Sequence, residues 1–308
     1  MTPGLEKRMR WGLEVALLRG FQLLVRVLPE PAWRALGRGL GRLAGDGFGY
    51  RRQVVDDNLR AAFPLLDAAE RRAIAASMFR RLGESLCEFF ALGRWSRDEI
   101  LAHVPELDIA ELEALRDQGR GAILMTGHFG NWELLGAAAA ARGLPIHVVA
   151  RTQSNPWADA LQNRIRERAG MRVIKAESSL REILRTVRGG GFVAMLPDVN
   201  TPGDGVFVDF LGRKAATPRG VAVFAWRLGC PVFSRFLLAR GDGTHAGLPM
   251  PTLHPDGNKD EAPAVYELTR AMAANLEACV RAHPDHYLWV HRRWKTRPPE
   301  ESAKETEP

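Results

Sequence analysis

The sequence predicts an α/β protein: a largely parallel or mixed central sheet flanked by helices, with a helical, membrane-associated amino-terminal part. Three observations predict it. Residues 54–118 place apolar side chains at helical spacing. From residue 120 onward, short apolar runs alternate with longer helical stretches, the pattern of strands joined by crossover helices. Residues 1–60 carry eleven Lys/Arg against six Asp/Glu, so most of the net charge of +7 sits beside an amphipathic segment.

That segment, Trp11–Leu28, is interrupted by Glu14, Arg19 and Arg26 and lacks the ~18 uninterrupted apolar residues of a clear spanning helix. At 3.6 residues per turn Arg8, Arg19, Gln22 and Arg26 share one face, and Leu17, Phe21, Leu24 and Leu28 share another. A basic amphipathic helix of this kind suits a membrane interface. The same pattern fits a helix packed on the core, or a short anchor that crosses part of the bilayer. No small-residue cleavage site follows, which argues against an exported mature protein. Gly37, Gly41 and Gly45 follow at four-residue spacing and mark either a smooth helix face, for close packing or dimerisation, or a loop.

Within residues 54–118, Ile74, Met78, Leu82, Leu86 and Phe89 keep helical register. Strands are then expected at 122–126, 146–150, 192–196 and 231–238, and helices at 131–142, 156–169, 221–228 and 263–282. The expected organisation is an amphipathic membrane-associated helical segment (1–50), one α/β domain (51–298) and a polar, disordered tail (299–308). A hydrophobic content of 46% with 26% charged residues excludes global disorder and a multi-span membrane protein. Three cysteines (Cys87, Cys230, Cys279) lie far apart without a CxxC, which excludes a disulfide scaffold or zinc ribbon and fits a reducing compartment. The positive balance points to an anionic partner. It clusters beside an amphipathic helix rather than in aromatic-interleaved strands, so nucleic acid is disfavoured.

Three polar residues directly follow three expected strands: His128, Arg151 and Asp198. If the strands are parallel, all three converge on the carboxyl edge of the sheet, where open α/β sheets place ligands. Around the first, Gly127 and Gly130 give the chain freedom to turn, and Asn131 is a good N-cap for a helix that carries Glu133. Such a turn would bring the imidazole of His128 and the carboxylate of Glu133 together, the arrangement of a general base and its orienting acid. Taken alone, His-x4-Glu is a weak signal, since a histidine capping a helix gives the same string.

The string does not stand alone. Gly-His-Phe-Gly-Asn-Trp-Glu (127–133), Ala-Arg-Thr-Gln-Ser-Asn-Pro (150–156), Leu-Pro-Asp (196–198), Gly-Val-Phe-Val-Asp-Phe-Leu-Gly (205–212) and Tyr-Leu-Trp-Val-His-Arg-Arg-Trp-Lys-Thr-Arg-Pro (287–298) occur in this order. Together they closely resemble the late acyltransferases of lipid A biosynthesis, the lauroyl/myristoyl transferases within the His-x4-Asp/Glu glycerolipid acyltransferase superfamily. The resemblance runs from about residue 10 to 298. It implies transfer of a fatty acyl chain from acyl carrier protein to a hydroxyl of a lipid A precursor, at the cytoplasmic face of the inner membrane. It implies His128 as general base with Glu133 as its partner, and Arg151, Arg166 and Asp198 as substrate-binding positions. Three departures bear on the acceptor: Arg151-Thr152 and Val199-Asn200 are unusual for the family, and Asp209 adds a charge near the expected pocket. The nearest alternative is the same chemistry on another glycolipid, an aryl-polyene lipid or a lysophospholipid. The phosphate-binding block of lysophosphatidate acyltransferases is absent.

The chemistry expected is direct attack by the acceptor hydroxyl on the donor thioester. No GxSxG is present, and Cys87 and Cys279 lie in core-like helical patterns, so no acyl-enzyme is expected. The mechanism calls for no cofactor and no metal; the paired histidines of HExxH zincins are missing. His291, Arg292, Arg293 and Lys295 suit an anionic head group or carrier protein, and the last three equally suit the seating of the tail on the domain.

Overall fold

The computed structural model describes residues 4–299 (the side chains of Ser178 and Ser179 excepted). The expected tail therefore lies, beyond Pro299, outside the described residues. The chain opens with six helices: α1 (Leu5–Val27), α2 (Glu30–Arg42), α3 (Arg52–Ala62), α4 (Ala68–Leu92), α5 (Arg97–His103) and α6 (Ala110–Asp117). Strands and helices then alternate: β1 (Ala122–Met125), α7 (Trp132–Ala141), β2 (Ile146–Ala150), α8 (Pro156–Arg168), β3 (Arg172–Lys175), α9 (Ser179–Arg188) and β4 (Phe192–Met195). A hairpin, β5 (Gly205–Phe210) and β6 (Arg213–Pro218), leads to α10 (Gly220–Leu228), β7 (Val232–Ala239), β8 (His245–Pro249) and α11 (Glu261–Ala282).

Six strands form one sheet in the order β3-β2-β4-β1-β7-β8. The first five run parallel and β8 pairs antiparallel with β7, so the sheet is mixed. Its central strands read as continuous apolar runs because both faces are covered. Ile123, Met125, Val193 and Phe236 point into one core with α10 and α11. Leu124, Ile146, Val148, Phe233 and Leu237 point into a second core with α4 to α8. Successive residues of a strand thus serve opposite cores, as the pleat requires. The connection after β1 leaves toward β2, while that after β4 leaves toward β7. The first passes β4 on the face of α7 and the second passes β1 on the face of α10, so the two loops leave to opposite faces of the sheet and a crevice opens between them at the carboxyl ends.

β3, the β5–β6 hairpin, β8 and α9 are elements the periodicity argument passed over. β3 is four residues with charged ends at a sheet edge, and β8 contains Gly247 and ends at Pro249. Neither has the apolar run that marks a strand buried on both faces.

The amino-terminal helices pack on this body. α2 runs against α4 at backbone contact distance, because Gly37 and Gly41 face Gly83. A Cβ on Gly41 would come 2.0 Å from the Phe79 carbonyl oxygen. Of the readings left open for Gly37 and Gly41, close packing within the chain is the one observed. Along α1, Trp11, Val15 and Val25 are buried, and Asn155, the N-cap of α8, donates to the Trp11 carbonyl and to Glu14. The apolar face expected at Leu17, Phe21, Leu24 and Leu28 is divided. Phe21 and Leu28 pack on the core, Phe21 edge-on to Phe90, while Leu17 and Leu24 are exposed. The outward stripe is instead Leu5, Met9, Leu13 and Leu17, one per turn. Among the described residues no helix is long and apolar enough to cross a membrane.

The α2–α4 contact gives a stability test. Gly41→Ala should lower stability by about 1–3 kcal/mol, because the added carbon meets backbone that cannot move aside. Gly39→Ala, where nothing lies within 4 Å, should be neutral or stabilising by up to ~1 kcal/mol. Urea midpoints of the two variants against the parent check the pair; equal midpoints would remove the packing argument.

Candidate active site

The crevice between β1 and β4 holds the first functional pair. β1 ends at Met125 and the chain turns sharply through Thr126-Gly-His-Phe-Gly. Gly130 sits at φ +57, where a Cβ would lie 1.8 Å from the Leu237 carbonyl oxygen, so only glycine fits this turn. The carboxyl-terminal string closes the loop from the other side. Leu288 N donates to the His128 carbonyl at 2.9 Å and Gly130 N to the His286 carbonyl at 2.8 Å. Asn131 caps α7, accepting from Leu134 N, and its amide donates to the buried Glu88.

Asp198 follows β4 and reaches across to this loop. Its Oδ2 accepts from the His128 backbone N at 2.8 Å, and its Oδ1 lies 2.9 Å from His128 Nδ1. With the carboxylate on Nδ1, the ring carries its proton there and presents the Nε2 lone pair. Burial of the His128 ring pulls its pKa down, but the charge and hydrogen bond of Asp198, with a contribution from Glu133, outweigh it and hold it above the ordinary value of 6.5. For Asp198, burial pushes the pKa up; the charge of His128, the two hydrogen bonds and Arg293 pull it below the usual carboxylate range.

Glu133 is not the carboxylate behind the imidazole. On the first turn of α7 it faces Arg166 of α8, which grips it with Nε at 3.0 Å from Oε2 and Nη2 at 2.6 Å from Oε1. The expected His128–Glu133 pairing is thus replaced by two pairs, His128–Asp198 and Glu133–Arg166. The reason is geometric: Asp198 comes from the neighbouring parallel strand and meets the His128 backbone directly, whereas the turn at Gly130 sends Glu133 along α7 toward α8. Nor does Asp198 stand on the substrate side, since it is buried with both oxygens engaged by His128. Arg151 ends up exposed after β2, at the rim of the same cavity.

That cavity measures about 640 Å³, the size of a small-molecule site. One part is polar, with His128, Glu133, Arg166, Arg151 and His291. The other is a mainly apolar arm between the sheet and α7, with Leu124, Leu135, Ala139, Ile146, Val148 and Leu112, and the buried Arg235 also lines the cavity. The arm follows β2 from Ala150 to Ile146, and five strand residues span roughly 16 Å. Among the described residues Thr126 Oγ1 is buried without a hydrogen-bond partner, a feature not visible in the sequence because a strand-end threonine has no signature. Asp209 is on the exposed face of the hairpin, paired with Lys214, and does not line the cavity.

Residues 6–296 match the family described as bacterial lipid A biosynthesis acyltransferase. The chain belongs to this family. The lipid A biosynthesis lauroyltransferase of Escherichia coli (strain K12) is 30% identical over 91% of this chain and 90% of that protein. The lipid A biosynthesis palmitoleoyltransferase of the same organism is 27% identical over 90% of this chain and 89% of its own length. Its lipid A biosynthesis myristoyltransferase is 27% identical over 94% of this chain and 89% of its length. The protein is therefore an acyltransferase, with the His128–Asp198 pair at the switch point of its sheet.

In this acyltransferase the three cysteines are buried, and burial pushes each thiol up to about 11, so all stay protonated near neutral pH. The carboxyl-terminal cations divide by position. Arg293 is buried and donates to the Ala216 carbonyl and Thr217 Oγ1, seating the tail on the hairpin, while Arg292 and Lys295 are exposed.

The raised pKa of His128 sets a pH limb. A base must be neutral, and a raised pKa delays the neutral form to higher pH. The kcat/KM profile should rise through an inflection above 6.5. Asp198→Asn removes the main raising influence and leaves burial, the largest influence of all, opposed only by Glu133, so the inflection should fall while the plateau drops by roughly 10²–10⁴-fold. An unmoved inflection in the variant would show that another group titrates.

Proposed function

We propose that this acyltransferase moves a fatty acyl chain from acyl carrier protein to a hydroxyl of a lipid A precursor, at the cytoplasmic face of the inner membrane, with His128 as general base. One observation carries the reading: a carboxylate-oriented imidazole opens onto a cavity with an apolar arm. The arm suits a saturated chain, since burying each methylene is worth about 0.8 kcal/mol. The relatives named for lauroyl, myristoyl and palmitoleoyl transfer onto lipid A support the acceptor class.

With the chain in the arm, the thioester carbonyl sits at the polar end. His128 Nε2 takes the proton of the acceptor hydroxyl as its oxygen bonds to the carbonyl carbon. Asp198 stabilises the imidazolium that forms. Arg166, fixed by Glu133 and Asn163, is a donor the cavity offers the oxyanion; such a donor is typically worth ~2.7–4 kcal/mol. Collapse breaks the carbon–sulfur bond, and the imidazolium returns its proton to the thiolate. Glu133 acts here as the anchor of Arg166, and Arg151 at the rim as a contact for an anionic part of a substrate.

His128→Ala should lower turnover by ~10²–10⁴-fold with the melting transition unchanged. Intact-mass spectra of the parent mixed with acyl donor alone should show the unmodified chain. Undiminished turnover in the variant, or a stable increment of one acyl group in the parent, would overturn the mechanism.

The exposed stripe of α1, flanked by Lys7, Arg8 and Arg10, is proposed as the membrane contact. Leu13→Glu with Leu17→Glu leaves Trp11, Val15 and Val25 in place and should release the protein from anionic vesicles. Activity on detergent-dispersed acceptor should survive. High salt alone should release the parent incompletely, because screening over ~8 Å weakens the charge term and not the apolar one. A double variant that still sediments with vesicles places the contact elsewhere.

A further inference from the structure

A second cleft, of about 530 Å³, adjoins the cavity and shares His291 and Asn200 with it. Its lining carries three cations, Arg51, Arg292 and Lys295, together with Thr296, and no carboxylate among the described residues. Three arginines that line other cavities differ in being paired with carboxylates, Arg34 with Glu30 and Glu88, Arg38 with Glu84 and Arg166 with Glu133.

The cleft is built rather than incidental. Asn58 Nδ2 donates to the carbonyls of Trp289 and His291, at 2.7 and 2.6 Å, and fixes the strand of chain that carries the cations. Asn200 clamps Thr296 twice, donating to its Oγ1 at 3.0 Å and accepting from its N at 2.9 Å. Arg51 is held at φ 49, in the left-handed region that disfavours side chains, and its guanidinium donates to the Val290 carbonyl. Backbone held in that region commonly accompanies a functional demand. The orientation of the string then matters: Arg293 and Trp294 are buried, while the exposed Arg292 and Lys295 line the cleft. His291 joins the two spaces, its ring centroid 5.7 Å from that of His128.

We propose that this cleft binds a phosphate or carboxylate group on the head of the acceptor lipid, and so delivers the acceptor hydroxyl to His128 from the side opposite the acyl arm. The inference rests on the reading of the protein as a transferase to a lipid acceptor and adds how that acceptor is recognised. Two directions of approach meet at the imidazole. The apolar arm beneath α7 takes the chain of the donor, and the cationic cleft beyond His291 is the polar side left for the acceptor. Guanidinium and ammonium groups without a carboxylate partner favour an oxyanion.

The experiment uses the full chain and Arg292→Gln with Lys295→Gln, both exposed and outside the core. Inorganic pyrophosphate is titrated calorimetrically into parent and variant. Steady-state transfer is measured with a lipid A precursor and with the same precursor after phosphatase treatment. The parent should bind pyrophosphate saturably and the variant should not. The variant's KM for the phosphorylated acceptor should rise about tenfold, with that for the acyl donor moving less than about twofold. The penalty should shrink on the dephosphorylated acceptor. Arg292→Lys with Lys295→Arg keeps the charge and should recover most of the loss. A penalty equal on both acceptors, or one that falls on the donor KM, overturns the proposal; the latter would assign the cleft to the carrier. Pyrophosphate binding by the parent is read without turnover, so failure of the transferase reading and failure of the anion site give different results.

Discussion

A charged carboxylate cannot remain buried without partners, and Asp198 finds its hydrogen bonds at His128, through ring and backbone together, with the charge of Arg293 in support. Much of the site depends on this two-point contact. It spans two neighbouring parallel strands whose connections leave in opposite directions, so it closes the crevice that the sheet topology opens. It also selects the imidazole tautomer, because the ring nitrogen facing the carboxylate carries the proton. The loop it holds is bounded by glycine at 130 and by the backbone bonds from Leu288 and Gly130, which leave the ring little freedom to turn.

From that contact the rest of the site follows by exclusion. Asp198 takes the position behind the imidazole, and Glu133 is released to hold Arg166 across the gap between α7 and α8. Two ion pairs then flank one cavity, each cation or imidazole oriented by its own carboxylate. The apolar arm lies between the sheet and α7, where small residues such as Gly136 and Ala139 keep the helix from filling the space. The amino-terminal helices support the same body. α2 locks onto α4 through glycines, and α4 supplies Glu88, which holds Asn131 and hence the start of α7. α1 buries Trp11 and Val25 and turns a leucine stripe outward.

Much of this was legible beforehand in particular residues. Ile146–Ala150 reads as a strand and is one, because a short run rich in β-branched residues between two helical stretches suits a sheet. The convergence of His128, Arg151 and Asp198 on one sheet edge needed only the strand boundaries and parallel pairing. Asn131 as a cap followed from its side chain. Less legible were β8 and the β5–β6 hairpin, whose exposed faces dilute the apolar signal, and the sorting of Arg292, Arg293 and Lys295 between core and surface. A string of adjacent cations has no period from which to tell which one points inward.

By itself, the sequence determined the strand–helix alternation, the chemistry available at the carboxyl edge and, through motifs spread over the chain, the family. Those are properties of local pattern, set by backbone periodicity and by residue type. Only the tertiary structure decided which carboxylate serves the histidine, which arginine is paired and which is free to meet a ligand, and which face of α1 is covered. These are properties of distance between segments far apart in the chain. His128 and Glu133 are five residues apart yet part at the Gly130 turn, while His128 and Asp198, seventy residues apart, meet because parallel strand pairing brings their two loops to the same edge.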